Sequence, residues 1–211
     1  MNDLDPAETA APPRATRRRA LSRKTKAILA AGLVLGVGAA VTLAAWNDSE
    51  FAQGTFTAGT FNLVGSTDGT TFTDHATVGT AATLGFTVNA STLSPGAVTA
   101  APFAVELAAN TTNDAIVTIS NAATTGTVTQ LTYELLQTTT FGCTPATTGT
   151  DLVPAGTALT TVPGSTTFAL THGTGGAAGA PVFLCFKVTA GAGLTQGQTG
   201  SATWQFAAAS Q

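Results

Sequence analysis

Two cysteines, two histidines and eleven carboxylates are the side chains of this 211-residue chain best suited to chemistry. Cys143 and Cys185 lie 42 positions apart. In an exported chain such an even pair is a candidate disulfide; two separate thiols or a share in a metal site are the alternatives. Joined, they would tie the loop after a Leu131–Leu135 strand to a Val182–Val188 strand. Loop-closure entropy would then contribute about 4 kcal/mol of stability. Cys185 falls on the row opposite Leu184 and Phe186, beside Phe183, so it need not face the main core.

His75 and His172 belong to no H-E-x-x-H motif and have no second histidine at ligand spacing. Both read as solvated loop residues. There is no G-x-S-x-G elbow, so a hydroxyl nucleophile could find a histidine only through the fold. The glycine-rich run from Gly173 to Gly179 lacks both G-K-[ST] and a spaced G-x-G-x-x-G, which makes it a loop and not a phosphate cradle. Asp48 and Glu50 supply fewer oxygens than the six to eight that Ca²⁺ takes, and read as solubilising charges. The expectation is a protein with no catalytic residues, no cofactor and no metal.

Charge is divided unevenly along the chain. Seven of the eight Lys and Arg residues fall between Arg14 and Lys26, and only Lys187 comes later. From Trp46 onward that one lysine faces eight carboxylates, a net charge of −7. A nucleic-acid partner needs cations on the folded surface to displace counterions, so that class is excluded. The same stretch, Trp46 to Gln211, contains 39 threonines, a β-branched type that favours strands and hydrates a surface without charge.

The first 45 positions read as an address. Residues 1–13 are polar and rich in Pro and Ala, residues 14–26 form a basic n-region, and Ala27 to Ala45 runs without a charge. Cations before an apolar helix that ends in small residues make an export signal, which touches the membrane only until it is cleaved. A retained anchor is one competing reading, since a stretch as long as Ala27 to Ala45 can just span a bilayer, and a buried helix of the folded domain is the other. Arg17-Arg18 weakly resembles a twin-arginine signal. Cleavage is expected among Ala44, Ala45 and Trp46; a cut after Ala45 puts the bulky Leu43 where a common site has a small residue. Residues 46–211 would then form one domain, long enough to bury about 70% of its unfolded surface.

Period-two alternation runs through that body. Leu84, Phe86 and Val88 form one row; others are Phe103, Val105 and Leu107, then Ala115, Val117 and Ile119, then Leu131, Tyr133 and Leu135. Val182, Leu184, Phe186 and Val188 make a fifth, and Ala202, Trp204 and Phe206 the last. Turn signals separate them, among them Asp68-Gly69, Ser94-Pro95-Gly96 and Pro163-Gly164. Phe56, Phe61 and Leu63 change phase across Gly59, which predicts a bulge there. The Thr-rich stretches 138–140 and 144–150 read as exposed loops. Eight to ten short strands predict an all-β, two-sheet β-sandwich preceded by an N-terminal signal helix.

The stretch from Gly32 to Gly69, GLVLGVGAAVTLAAWNDSEFAQGTFTAGTFNLVGSTDG, resembles the signal and first strand of camelysin/TasA-type exported proteins. It is most similar to their actinobacterial relatives with an alternate, SipW-type signal peptide. The resemblance implies a dedicated signal peptidase, a jelly-roll form of the sandwich, and a secreted, surface-exposed or matrix protein. Camelysins are classed as metalloproteases, but no zinc motif here carries that activity. Cleavage would free the segment Trp46-Asn47-Asp48-Ser49-Glu50-Phe51, whose two large apolar ends flank a polar centre. That segment is expected to pair with a sheet edge of the next subunit and build fibres. A monomeric exported binding module is the alternative.

Overall fold

The computed structural model of the chain describes residues 25–29, 50–87 and 92–211. Two compact units are distinguished, residues 1–56 and residues 57–211. In the first, residues 25–29 are helical and residues 50–56 belong to no helix or strand and are exposed, with Phe51 and Phe56 each 95% accessible. Among the described residues no helix is long and apolar enough to cross a membrane. Most of the expected export signal, the cut at Ala44, Ala45 and Trp46, and residues 46–49 of the assembly segment lie outside the described residues.

The second unit contains eight strands: β1 (Leu63–Ser66), β2 (Val98–Leu107), β3 (Ala115–Gly126), β4 (Leu131–Thr138), β5 (Thr150–Ala158), β6 (Thr167–Leu170), β7 (Val182–Ala190) and β8 (Gly200–Ser210). They form two antiparallel sheets, ordered β1-β2-β7-β4-β5 and β6-β3-β8. The fold is the expected sandwich, and its rows face inward as the alternation requires. Phe103, Val105, Leu135, Leu184, Phe186 and Val188 from the larger sheet are buried with Val117, Ile119, Phe168 and Leu170 from the smaller one. Trp204 and Phe206 of β8 complete the core by ring packing, with the Phe186 and Trp204 centroids 4.7 Å apart.

An eight-stranded jelly roll orders its sheets 1-8-3-6 and 2-7-4-5. The second set is complete here as β2-β7-β4-β5, and the first is present as β8-β3-β6. The displaced strand is β1, which pairs with β2 and not with β8. Residues preceding β1 explain the shift, because they are tied to the turn after β2. Thr112 N–H donates to Thr60 O at 3.0 Å, Ala108 N–H donates to Asn62 O at 3.0 Å, and the Thr60 hydroxyl donates to Asn110 O.

That tether also corrects the predicted first strand. No strand runs from Phe56 to Phe61; the first begins at Leu63, and Phe61 is 40% accessible. Gly59 makes no bulge. A Cβ there would overlap Thr112 Oγ1, so glycine permits the close approach of two chain segments. Residues 81–87 likewise join no sheet, and Val88 lies outside the described residues. Within the predicted loop 144–150, Thr150 already opens β5.

Candidate functional site

The cysteines are joined, with Cα atoms 5.2 Å apart. Leu136 of β4 stands opposite Cys185 of β7, and together with Ala100 and Cys143 they form a small second core, separate from the main one. The bond therefore fastens the loop after β4 onto the outer face of the larger sheet. An oxidising compartment, such as the cell exterior, suits such a bond.

The remaining chemical candidates are spread out. His172, in the loop before β7, is brought to Asp114 at the start of β3: one Asp114 carboxylate oxygen lies 2.6 Å from His172 Nδ1 and accepts the His172 backbone N–H at 2.9 Å. Those bonds, the backbone one foremost, hold the Asp114 carboxyl below its ordinary range. No hydroxyl stands on the far side of that imidazole among the described hydrogen bonds. His75 lies elsewhere, with Thr80 O at 3.0 Å from Nδ1 and the Thr73 hydroxyl at 3.2 Å from Nε2. Among the described residues no three His, Cys, Asp or Glu side chains converge as a metal site. Glu50 and Phe51 of the assembly segment are exposed. Lys187 meets Glu134, its cross-strand neighbour, at 2.7 Å and donates to Thr147 O at 3.1 Å.

The Asp114 contact gives a pH-dependent prediction. A carboxyl depressed in the folded state adds stability above its unfolded pKa near 4, and loses it as pH falls through the lower folded value. Protection of the His172 amide, taken against its intrinsic exchange rate at each pH, should therefore fall below that range. In Asp114→Asn that protection should be low at every pH, which hydrogen-exchange mass spectrometry would register.

Sheet edges hold the more informative feature. Four strands end the two sheets, and three are protected in ways known to block edge pairing. β1 has only four residues and is capped by Thr73, whose N–H and C=O both bond Gly65. β6 also has four residues. β5 contains Pro154, Asp151 and Gly156, and its register against β4 shifts twice. β8 is different: eleven residues, GSATWQFAAAS, with no charge and no proline. One side is paired with β3 along its length; among the described residues no strand covers the other. This is the place a jelly roll gives to its first strand.

Beside that edge a cleft of about 960 Å³ opens between the sheets. Leu63, Leu84, Phe86, Phe103, Trp204 and Phe206 contribute its apolar lining. The Trp204 indole N–H is buried, and the Tyr133 hydroxyl is the polar group close enough to interact with it. The sequence carried one signal of this site, the absence of charge from Gly200 to Ser210, but not that the strand stood at an edge. Comparison with family models, with curated proteins and with solved structures gives no match.

Proposed function

We propose that this chain is an exported, non-catalytic surface or extracellular-matrix protein that assembles into fibres, each subunit lending its processed N-terminal segment to the β8 edge of the next. The observation that carries the reading is that edge: long, uncharged, uncovered among the described residues, and bordered by an apolar cleft. A strand added there would bond along its backbone and fill the cleft with side chains. Residues 46–56 offer Trp46, Phe51 and Phe56 for that purpose, and Phe51 and Phe56 are already exposed. The resemblance to camelysin/TasA-type proteins and the disulfide support export, with a dedicated signal peptidase as the one processing partner.

Strand direction favours a second copy over self-closure. The chain enters the sandwich at Thr60, bound to Thr112, at the end where Gln211 N–H reaches Asp114 O. A segment of the same chain arriving there would run parallel to β8, against the antiparallel pattern of both sheets. To lie antiparallel it would have to return along a strand of roughly 36 Å with too few residues before Thr60. A segment from a neighbouring copy has no such constraint.

Deleting residues 46–56 is expected to abolish fibres in electron micrographs of the exported protein and to leave a folded monomer. Filaments that persist unchanged would reject this segment as the donor. If light scattering from the intact exported protein stays that of a monomer at every concentration, the assembly reading falls and a monomeric binding module replaces it.

A further inference from the structure

Residues 81–87 have the side-chain habit of a strand without its backbone bonds. Along AATLGFT, exposed and half-buried positions alternate without exception, and Ala82, Leu84 and Phe86 pack on the main core. The strip is anchored at its ends, where Ala81 N–H donates to Val78 O and Thr87 N–H donates to Ala100 O at 2.8 Å. Between those bonds no backbone group of residues 82–86 pairs with another segment among the described hydrogen bonds. Leu84 and Phe86 line the same cleft as Trp204 and Phe206 of the open edge. So the chain holds a strip outside either sheet beside an unpaired sheet edge, and both line one cleft.

From this juxtaposition we infer that residues 81–87 are a displaceable placeholder: Leu84 and Phe86 wall the cleft beside β8 until an incoming strand pushes them aside, so the strip sets how readily β8 is taken. The inference rests on the assembly reading and adds its regulation. Two physical points support it. Side-chain packing and the Thr87–Ala100 bonds at one end hold the strip, so it can leave without breaking a sheet ladder, and segments with few protected backbone bonds are the ones that open at low cost. Gly85, at its centre, has open space around the position a Cβ would take, so no packed neighbour locks it. A strip seated in nine of ten molecules weakens apparent binding at the edge about tenfold, because only the open fraction accepts a ligand.

The test uses the full exported chain, diluted until monomeric, and a labelled peptide of residues 46–56, WNDSEFAQGTF. The double substitution Leu84→Ala/Phe86→Ala should bind the peptide about tenfold more tightly than the unaltered chain. Equal or weaker binding by a variant with native near-UV circular dichroism would overturn the placeholder while leaving assembly intact. Binding to neither protein would remove the assembly reading and the placeholder with it. The unaltered chain supplies a second measurement that does not depend on the variant folding. On adding peptide, the Thr87 amide, released from Ala100 O, should exchange faster while those of β8 become protected. Protection of both segments together would mean that the strip stays in place as part of the acceptor, and would overturn the proposal.

Discussion

Phe186→Ala is expected to destabilise the sandwich by about 3–5 kcal/mol, the range for removing a large aromatic side chain from a packed core. Phe186 sits on β7, the central strand of the larger sheet, opposite Ala101 of β2 on one side and Leu135 of β4 on the other. It is 1% accessible. Its ring lies 4.7 Å from Trp204 and 6.4 Å from Phe206, both on β8 of the opposite sheet, so with Phe103 and Tyr133 it is one of the rings through which the sheets meet. Neighbouring strands are held by backbone ladders and cannot move in to close the gap. The cavity contribution should therefore be large. Phe186→Leu keeps most of the volume and should cost roughly 1.5 kcal/mol or less. Urea unfolding followed by tryptophan fluorescence measures both. An alanine variant that loses no more stability than the leucine variant would mean that the sheets meet elsewhere.

The second large effect is expected from the disulfide. Replacing both Cys143 and Cys185 by alanine releases a loop closed over 42 positions, which loop-closure entropy values at about 4 kcal/mol. For a body of this size that corresponds to a fall in Tm of roughly 8–16 °C. The location shapes the outcome as much as the entropy does. The bond lies among Ala100 and Leu136 on the outer face of the larger sheet, outside the main core. Both sheets should survive its loss at room temperature, with the loop between β4 and β5 coming free first. Melting curves with and without reductant, alongside the double variant, would show it; coincident curves would place the stabilisation elsewhere.

These two sites differ in how far they could be read from sequence. The inward rows of β2, β3, β4, β7 and β8 were visible because each alternates large apolar residues with polar or small ones over five or more positions. β5 was not, since Pro154 and Gly156 interrupt the alternation and Val153 alone is fully buried. β6 offers only Phe168 and Leu170, too short a pattern to separate from a loop. Leu84 and Phe86 carried the strand period correctly, yet pairing is decided by distant segments, and none bonds to that backbone. The contact of His172 with Asp114 spans 58 positions and has no local trace. Likewise, the uncharged run of β8 could be read letter by letter, while its meaning depended on β1 having crossed to the other sheet.

The pairing of Lys187 with Glu134 has a practical consequence for anyone looking for this protein in cells. After Lys26 the chain offers trypsin one cleavage point, and that lysine lies in the middle of a central strand with its ammonium group engaged. The folded body should withstand trypsin for as long as β7 stays in its sheet. Even fully denatured, it gives one fragment reaching from Ala27 to Lys187, too long for ordinary peptide mass spectrometry, and a second that starts at Val188. A tryptic survey would have to identify it from that second fragment. After Lys26, amine-directed labels and crosslinkers would find only this engaged lysine, so detection calls for a protease that cuts at aromatic residues or carboxylates.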